Sequence, residues 1–215
     1  IAMWVADMDF LPPPAVNDVL QRAADHGVHG YFGDDTNYRL ALVGWMQRQH
    51  QWEVQTDWII NAHGLVNAIG ICLQAFSKVG EGVIVFSPVY HAFARVITAN
   101  DRQLIESQLV ERDGRYYMDL EQLEHRLTGN EKILLFCSPH NPGGRVWDKT
   151  ELEEVAAFCE KHDLLLVSDE VHNDLVFAPP KSELFWNPEI IASLSTLGLK
   201  SRTSLKDTLP IAGEL

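Results

Sequence analysis

Hydrophobic residues follow a strand-like pattern at five places along the chain. Short apolar runs recur there, and several are nearly continuous, as expected for strands that are covered on both faces. The runs predict strands at residues 58–60, 82–88, 103–110, 132–139 and 164–170.

Helical spacing occupies the intervals between these runs. Apolar side chains recur on one face over residues 65–76 and again over 152–159, which predicts two amphipathic helices. Two more are predicted earlier in the chain, one introduced by Pro12–Pro14 and stopping at Gly27, and one over residues 37–50. This alternation predicts an α/β fold with a mostly parallel sheet sandwiched by helices.

The composition narrows the classes of partner. The 215 residues carry a formal net charge of −13 without a run of Lys or Arg, so nucleic acid is not an expected partner. No apolar stretch approaches the roughly 20 residues that span a bilayer, and the opening residues do not resemble a signal peptide. We therefore expect a cytoplasmic protein with no membrane partner. Cys72, Cys137 and Cys159 match neither a zinc site nor a disulfide framework and are predicted to be buried thiols.

Chemically capable side chains follow the predicted strands. In parallel sheets, ligands collect beyond the carboxyl ends of the strands. Tyr90 follows the second run, Asn141 follows the fourth, and Asp169 and His172 lie at or after the end of the fifth. Each has an ordinary explanation when taken alone: a packing aromatic, a turn residue, a capping carboxylate or a neutral imidazole.

A single ligand would use these positions together. Gly64 precedes a predicted helix whose first N–H groups could hold a phosphate, although Gly is also a common helix cap. Tyr90 could cover a flat ring, Asn141 could bond a ring oxygen, and Asp169 could keep a ring nitrogen protonated. Pyridoxal 5′-phosphate carries all four groups and is the predicted cofactor. A metal site is not predicted, because no closely spaced ligand pair fixes a geometry.

Six stretches also resemble, in the expected order, the motifs of a known family. They read MWVADMDF (3–10), HGVHGYFGDD (26–35), NAHGLVNAI (61–69), SPVYHAF (87–93), SPHNPGGRVW (138–147) and SDEVHNDLVF (168–177). The chain resembles fold-type I pyridoxal-phosphate enzymes of the class I/II aminotransferase superfamily, and within them the cystathionine β-lyase or C–S lyase branch. The likeness covers residues 1 to about 177.

The resemblance implies contacts to the cofactor phosphate. Gly64, Leu65 and Val66 would supply them through the backbone of this chain. Tyr31 would reach the phosphate bound by a neighbouring subunit. A homodimer with shared active sites is therefore expected.

The resemblance also implies contacts to the cofactor ring. Tyr90 would stack on it, Asn141 would hydrogen-bond its hydroxyl, and Asp169 would pair with the pyridinium nitrogen. His172 would lie near the same hydroxyl, where aminotransferases usually place a tyrosine.

The family mechanism requires a lysine that forms a Schiff base with the cofactor and then removes the α-proton of the substrate. Lys206 is the predicted residue if IAG at 211–213 sets the register. Arg202, which cannot form the imine, takes this place if SRT at 201–203 is the match, and Lys200 is a third possibility. The catalytic assignment therefore stays open among these alternatives.

The resemblance implies a domain organisation as well. Residues 1–36 are expected to form an N-terminal segment that lines the active site. Residues 37–215 are expected to form the cofactor-binding large domain, with the small C-terminal domain absent from this chain.

Three functions are consistent with these motifs. The first is a carbon–sulfur β-lyase that converts cystathionine or another L-cysteine conjugate into pyruvate, ammonia and a thiol. The second is an aminotransferase, since both enzyme classes share the cofactor residues. The third is a non-catalytic binding or regulatory protein on the same scaffold, which Arg202 would explain.

Overall fold

The computed structural model describes residues 7–31 and 33–176. The chain divides into two compact units, residues 1–39 and residues 40–215. The smaller unit contains helix α1 (Pro14–His26), and helix α2 (Thr36–His50) begins in it and ends in the larger one.

Helix α1 has the boundaries that its prolines and glycine predict. Pro13 precedes the first turn, and Gly27 follows the last one with a φ of 70°. This left-handed conformation lets the Gly27 N–H bond the carbonyl of Ala23, and glycine adopts it without a steric cost.

The larger unit alternates helices and strands along the chain. After a 3₁₀ turn (Thr56–Trp58), its elements are α3 (Leu65–Phe76), β1 (Gly82–Ser87), α4 (His91–Ala99), β2 (Gln103–Gln108), β3 (Val110–Arg112), β4 (Arg115–Tyr117), α5 (Leu120–Arg126), β5 (Glu131–Cys137), α6 (Lys149–Lys161) and β6 (Leu165–Asp169). Four of the strands form one sheet in the order β2-β1-β5-β6, and every neighbouring pair is parallel. The expected α/β fold is confirmed.

Successive side chains along the strands point to opposite faces of the sheet, and each face packs into its own hydrophobic core. On one face, Val85, Leu135 and Val167 pack with apolar residues of α3 and α4. On the other face, Phe86 and Phe136 pack with apolar residues of α5 and α6. Because both faces are covered, the strands are nearly continuous apolar runs, which is why they were recognisable from the sequence.

The predicted strand at residues 58–60 is wrong. Trp58 ends the 3₁₀ turn, and Ile60 is 70% exposed. A run of three apolar residues gives too short a ladder to offset the entropy of ordering it, and a turn prevails.

The predicted strand at residues 103–110 is two strands in different sheets. β2 ends at Gln108, and Val110 begins a β3–β4 hairpin. The hairpin turns at Asp113-Gly114, where both residues have positive φ, as a two-residue type I′ turn requires. Asp-Gly is a strong hairpin signal in a sequence, but the strand prediction relied on apolar runs alone.

The burial of the cysteines and the character of the helices complete the description of the fold. All three cysteines are free and buried, as predicted. None of the helices in the described part of the chain combines the length and apolar character needed to cross a bilayer.

Candidate active site

The chain leaves the two central strands, β1 and β5, towards opposite sides of the sheet. β1 continues through α4 to β2 on one side, and β5 continues through α6 to β6 on the other. Adjacent parallel strands that diverge in this way leave a crevice at their carboxyl ends, where α/β proteins bind ligands. The loop after β1 carries Tyr90, and the loop after β5 carries Asn141.

Asp169 ends β6 beside this crevice and is only 6% exposed. Its Oδ1 accepts a hydrogen bond of 3.2 Å from the backbone N–H of Val171, and no side chain among residues 7–31 and 33–176 donates to it. Burial raises the pKa of the Asp169 carboxyl, although the Val171 N–H and the nearby His172 act in the opposite direction. A buried carboxylate with so few donors can accept a further cationic partner.

Cys137 connects Asp169 with the Asn141 turn. It ends β5 directly opposite Asp169 in the strand register. Its sulfur accepts the backbone N–H of Asn141 at 3.4 Å, and its thiol donates to the carbonyl of Pro139 at 3.4 Å. Burial, together with the Asp169 carboxylate, raises the pKa of Cys137 to about 12, so the thiol stays neutral.

Arg145 closes the loop that carries Asn141. Its buried guanidinium donates to the carbonyl of Tyr116 at 2.8 Å and to the carboxylate of Glu151. Its own carbonyl accepts the N–H of His140 at 2.7 Å, next to Asn141 in the chain. The loop is therefore fixed to the β3–β4 hairpin and to α6, which sets the position of the Asn141 backbone.

The start of α3 supplies free N–H groups. Gly64 caps this helix with a φ of 83°, and the first bond into the helix runs from Ala68 N–H to the Gly64 carbonyl. The N–H groups of Leu65 and Val66 therefore have no partner within the helix, and within the described residues no side chain caps the N-terminus. The arrangement suits a bound anion.

Tyr90 and Leu65 lie on the same face of the sheet. Both are half-buried and pack against the apolar cluster that contains Cys137 and Val167. Side chains alternate along a strand, so Asp169 follows Val167 on this face. The structure therefore places Leu65, Tyr90 and Asp169 on one face of the sheet.

His172 lies in a tight turn immediately after β6 and is partly buried. Two backbone hydrogen bonds of 3.0 Å define the turn, from Asn173 to the Glu170 carbonyl and from Leu175 to the His172 carbonyl. The Glu170 side chain accepts a 3.0 Å hydrogen bond from the Ser168 hydroxyl beneath it.

The remaining predicted residues lie in the smaller unit or outside the described residues. Tyr31 belongs to the smaller unit and is fully exposed. Lys206, Lys200 and Arg202 lie outside the described residues. Within the described residues, no group of three or more His, Cys, Asp or Glu side chains is arranged to hold a metal ion.

Two residues near the site were missed as contributors from sequence. Cys137 was recognised only as a buried thiol, since nothing in the sequence reveals that it faces Asp169 across two strands. Asp174 lies in the SDEVHND stretch, but its partners Trp45 and His50 lie more than 120 positions away in the chain.

The family of the chain follows from comparison with known proteins. The model of the aminotransferase class I and II family matches residues 2–198. The chain belongs to this family.

Similar proteins within the family include carbon–sulfur lyases. The chain is 39% identical to cystathionine beta-lyase PatB of Bacillus subtilis over 82% of the chain and 46% of that protein. It is 33% identical to protein MalY of Escherichia coli over 80% of the chain and 45% of that protein. The fold matches the crystal structure of cystalysin from Treponema denticola, which contains a pyridoxal 5′-phosphate cofactor, with a TM-score of 0.82 and 42% identity over 87% of this chain and 48% of that one. The chain thus spans about half the length of the relatives it matches.

Proposed function

We propose that the protein is a pyridoxal-phosphate-dependent carbon–sulfur β-lyase. It would cleave cystathionine or another L-cysteine conjugate to pyruvate, ammonia and a thiol. The likeness to PatB and cystalysin supports this reaction class. The homodimer and the cytoplasmic location implied by the family resemblance belong to the same proposal.

The state of Asp169 is the structural observation that carries the cofactor assignment. A buried carboxylate with one backbone donor among the described residues is poorly stabilised as an anion by that part of the chain. A protonated ring nitrogen would supply the missing charge and hydrogen bond, so the residue fits the proposed cofactor. When bound, pyridoxal phosphate supplies a ring that takes up the electrons of the substrate α-carbon.

The other residues would hold the cofactor in place. The N–H groups of Leu65 and Val66 would bind its phosphate, with Gly64 leaving the approach free of a side chain. Tyr90 would cover the ring, and Asn141 would donate to the ring oxygen. His172 would lie beside that oxygen and affect its proton.

Two further assignments concern Lys206, which lies outside the described residues, and Tyr31, which belongs to the smaller unit. Lys206 would bind the cofactor covalently and take the α-proton of the substrate. Tyr31 would contact the phosphate bound by a partner subunit.

An elimination assay tests the function. The purified protein, supplied with pyridoxal phosphate and L-cystathionine but no 2-oxo acid, is expected to release pyruvate and thiol. An aminotransferase would need 2-oxoglutarate and would release no thiol. A protein that takes up no cofactor and remains colourless would contradict the proposal.

Chemical trapping tests the lysine. Borohydride reduction of the cofactor-loaded protein is expected to leave a pyridoxyl group on Lys206, which peptide mass spectrometry would locate. Lys206→Ala is expected to lose the label and nearly all activity, while Lys200→Ala keeps both. A label on Lys200 would move the assignment there.

A further inference from the structure

Asp174 uses both carboxylate oxygens to join the turn after β6 to helix α2. Its Oδ2 accepts a 3.0 Å hydrogen bond from Trp45 Nε1. Its Oδ1 lies 2.8 Å from His50 Nε2, within hydrogen-bond distance. These two contacts connect positions 124 and 129 residues apart in the chain.

The end of α2 is a firm attachment point. Trp52, two residues after the helix, is buried in the core on the α5 and α6 face, and its N–H bonds the carbonyl of Met46. Met46 packs against the same core. Trp45 and His50 therefore belong to a helix end whose position the core fixes.

The turn that carries His172 is consequently held at both ends. At its start, the carbonyl of Asp169 accepts the N–H of Ser138, and its side chain accepts the N–H of Val171. At its end, Asp174 is bound to α2. His172 lies between these two attachments, and its carbonyl accepts the N–H of Leu175 within the turn.

We propose that Asp174 is a positioning residue that sets the placement of His172, and through the turn that of Asp169, relative to the cofactor ring. The inference rests on the proposed function for its consequence, because His172 matters to the ring only if the cofactor binds there. The attachment itself is a property of the chain without cofactor. Trp45 and His50 thereby become part of the support of the active site.

Three variants separate the hydrogen bonds of Asp174 from its negative charge. Asp174→Asn keeps an oxygen that can accept from Trp45, and its amide can donate to His50 when Nε2 carries no proton. Asp174→Ala removes both bonds. Trp45→Phe removes one donor while leaving an aromatic ring on the helix.

Hydrogen exchange of the cofactor-free full-length protein gives the first test. In Asp174→Ala, the amides of Asn173 and Leu175 are expected to exchange at least about tenfold faster, because two hydrogen bonds to a charged group are lost. Trp45→Phe should give a smaller increase, and Asp174→Asn should stay within about twofold of the wild type above the titration range of histidine. The amides of β5 report whether the whole fold has loosened.

The bound cofactor gives the second test. Asp174→Ala is expected to shift the pH midpoint of the cofactor absorption spectrum and to raise the cofactor dissociation constant about tenfold, with Asp174→Asn restoring both. A purely structural residue would lower the melting temperature without moving the midpoint.

Glu124 offers a matched control on α5. It is also a carboxylate with two partners, Lys161 and His162, and its side chain is 37% exposed compared with 34% for Asp174. Glu124→Ala is expected to leave the exchange of Asn173 and Leu175 and the cofactor spectrum unchanged.

The two proposals fail in different ways. A wild-type protein that binds no cofactor overturns the proposed function, while the exchange experiment still tests the attachment. Unchanged exchange in Asp174→Ala overturns the positioning role. So does faster exchange with an unmoved cofactor spectrum, or an equal loss in the Asn and Ala variants.

Discussion

Two buried carboxylates lie on neighbouring parallel strands. One is at the amino edge of the sheet, where the strands begin, and the other is at the carboxyl edge, where they end. Glu131 begins β5 and is 4% exposed, and Asp169 ends β6 and is 6% exposed. Burial disfavours the charged form of both groups. They differ in what the chain provides to offset it.

Glu131 is surrounded by donors. Its carboxylate accepts hydrogen bonds from the N–H and hydroxyl of Thr128 and from the N–H of Gly129, at 3.0 to 3.3 Å. Burial acts to raise its pKa, but the backbone N–H of Glu131 itself and the bonds from Thr128 and Gly129 together outweigh burial, and the pKa of Glu131 is lowered. The residue closes the loop that leads into β5.

Asp169 has one backbone donor within the described residues, and burial prevails to raise its pKa. Burial alone therefore does not identify a functional carboxylate. The number of donors that the chain itself supplies distinguishes a structural group from one that awaits a partner. At the amino edge of the sheet, both oxygens of Glu131 accept hydrogen bonds. At the carboxyl edge, Asp169 accepts one within the described residues.

The largest expected effect comes from Asp169→Asn. Loss of the carboxylate should lower lyase activity about a thousandfold, since a charge pair at about 4 Å contributes roughly 4 kcal/mol at an effective dielectric near 20. The cofactor-free protein should become more stable at neutral pH, because a poorly solvated anion is removed.

The pH dependence gives the sign of that stability change. The folded-state pKa of Asp169 is raised, so the wild type without cofactor regains stability as the pH falls through that pKa towards the unfolded-state value. The difference in melting temperature between the variant and the wild type should therefore shrink on acidification. A variant less stable than the wild type at neutral pH would mean that the folded chain stabilises the Asp169 anion, contrary to this expectation.

Glu131→Gln should show the reverse pattern. We expect a loss of about 1–3 kcal/mol in the free energy of unfolding at neutral pH, because one accepting oxygen becomes an NH2 group that faces donors and the other oxygen loses its charge. Activity per folded molecule should stay at the wild-type level.

The lowered pKa of Glu131 fixes the pH window of this effect. Its contribution is present above the unfolded-state pKa of Glu and disappears as the pH falls through the lowered folded-state value. Urea unfolding in steps from neutral to acidic pH should show the two proteins converging. Loss of activity in folded Glu131→Gln would mean that the amino edge also contributes to catalysis.

The smallest expected effect concerns Cys137. Cys137→Ala removes the sulfur that accepts the Asn141 N–H, so the cofactor dissociation constant should rise only about two- to fivefold, as expected for a weak sulfur hydrogen bond. Cys72→Ala is the control, since Cys72 is buried in the same apolar cluster. Equal cofactor affinity in both variants would remove Cys137 from the support of the Asn141 turn.

The main strands and helices were predictable because they depend on local patterns. Continuous apolar runs give buried parallel strands, and Gly27 ends α1 for reasons contained in a few neighbouring residues. The two strand errors have the same origin. Residues 58–60 and 103–110 look apolar, but neither packing nor pairing partners can be read from the run itself.

The α/β alternation could be predicted, and so could the places of Tyr90, Asn141, Asp169 and His172 after strands, because side-chain type and spacing are local properties. The spacing of residues does not predict that β1 and β5 diverge side by side, that Cys137 faces Asp169, or that Asp174 reaches Trp45 and His50. Those facts depend on strand order and helix packing. They arise when distant segments bury their apolar faces together, and no spacing within one segment encodes them.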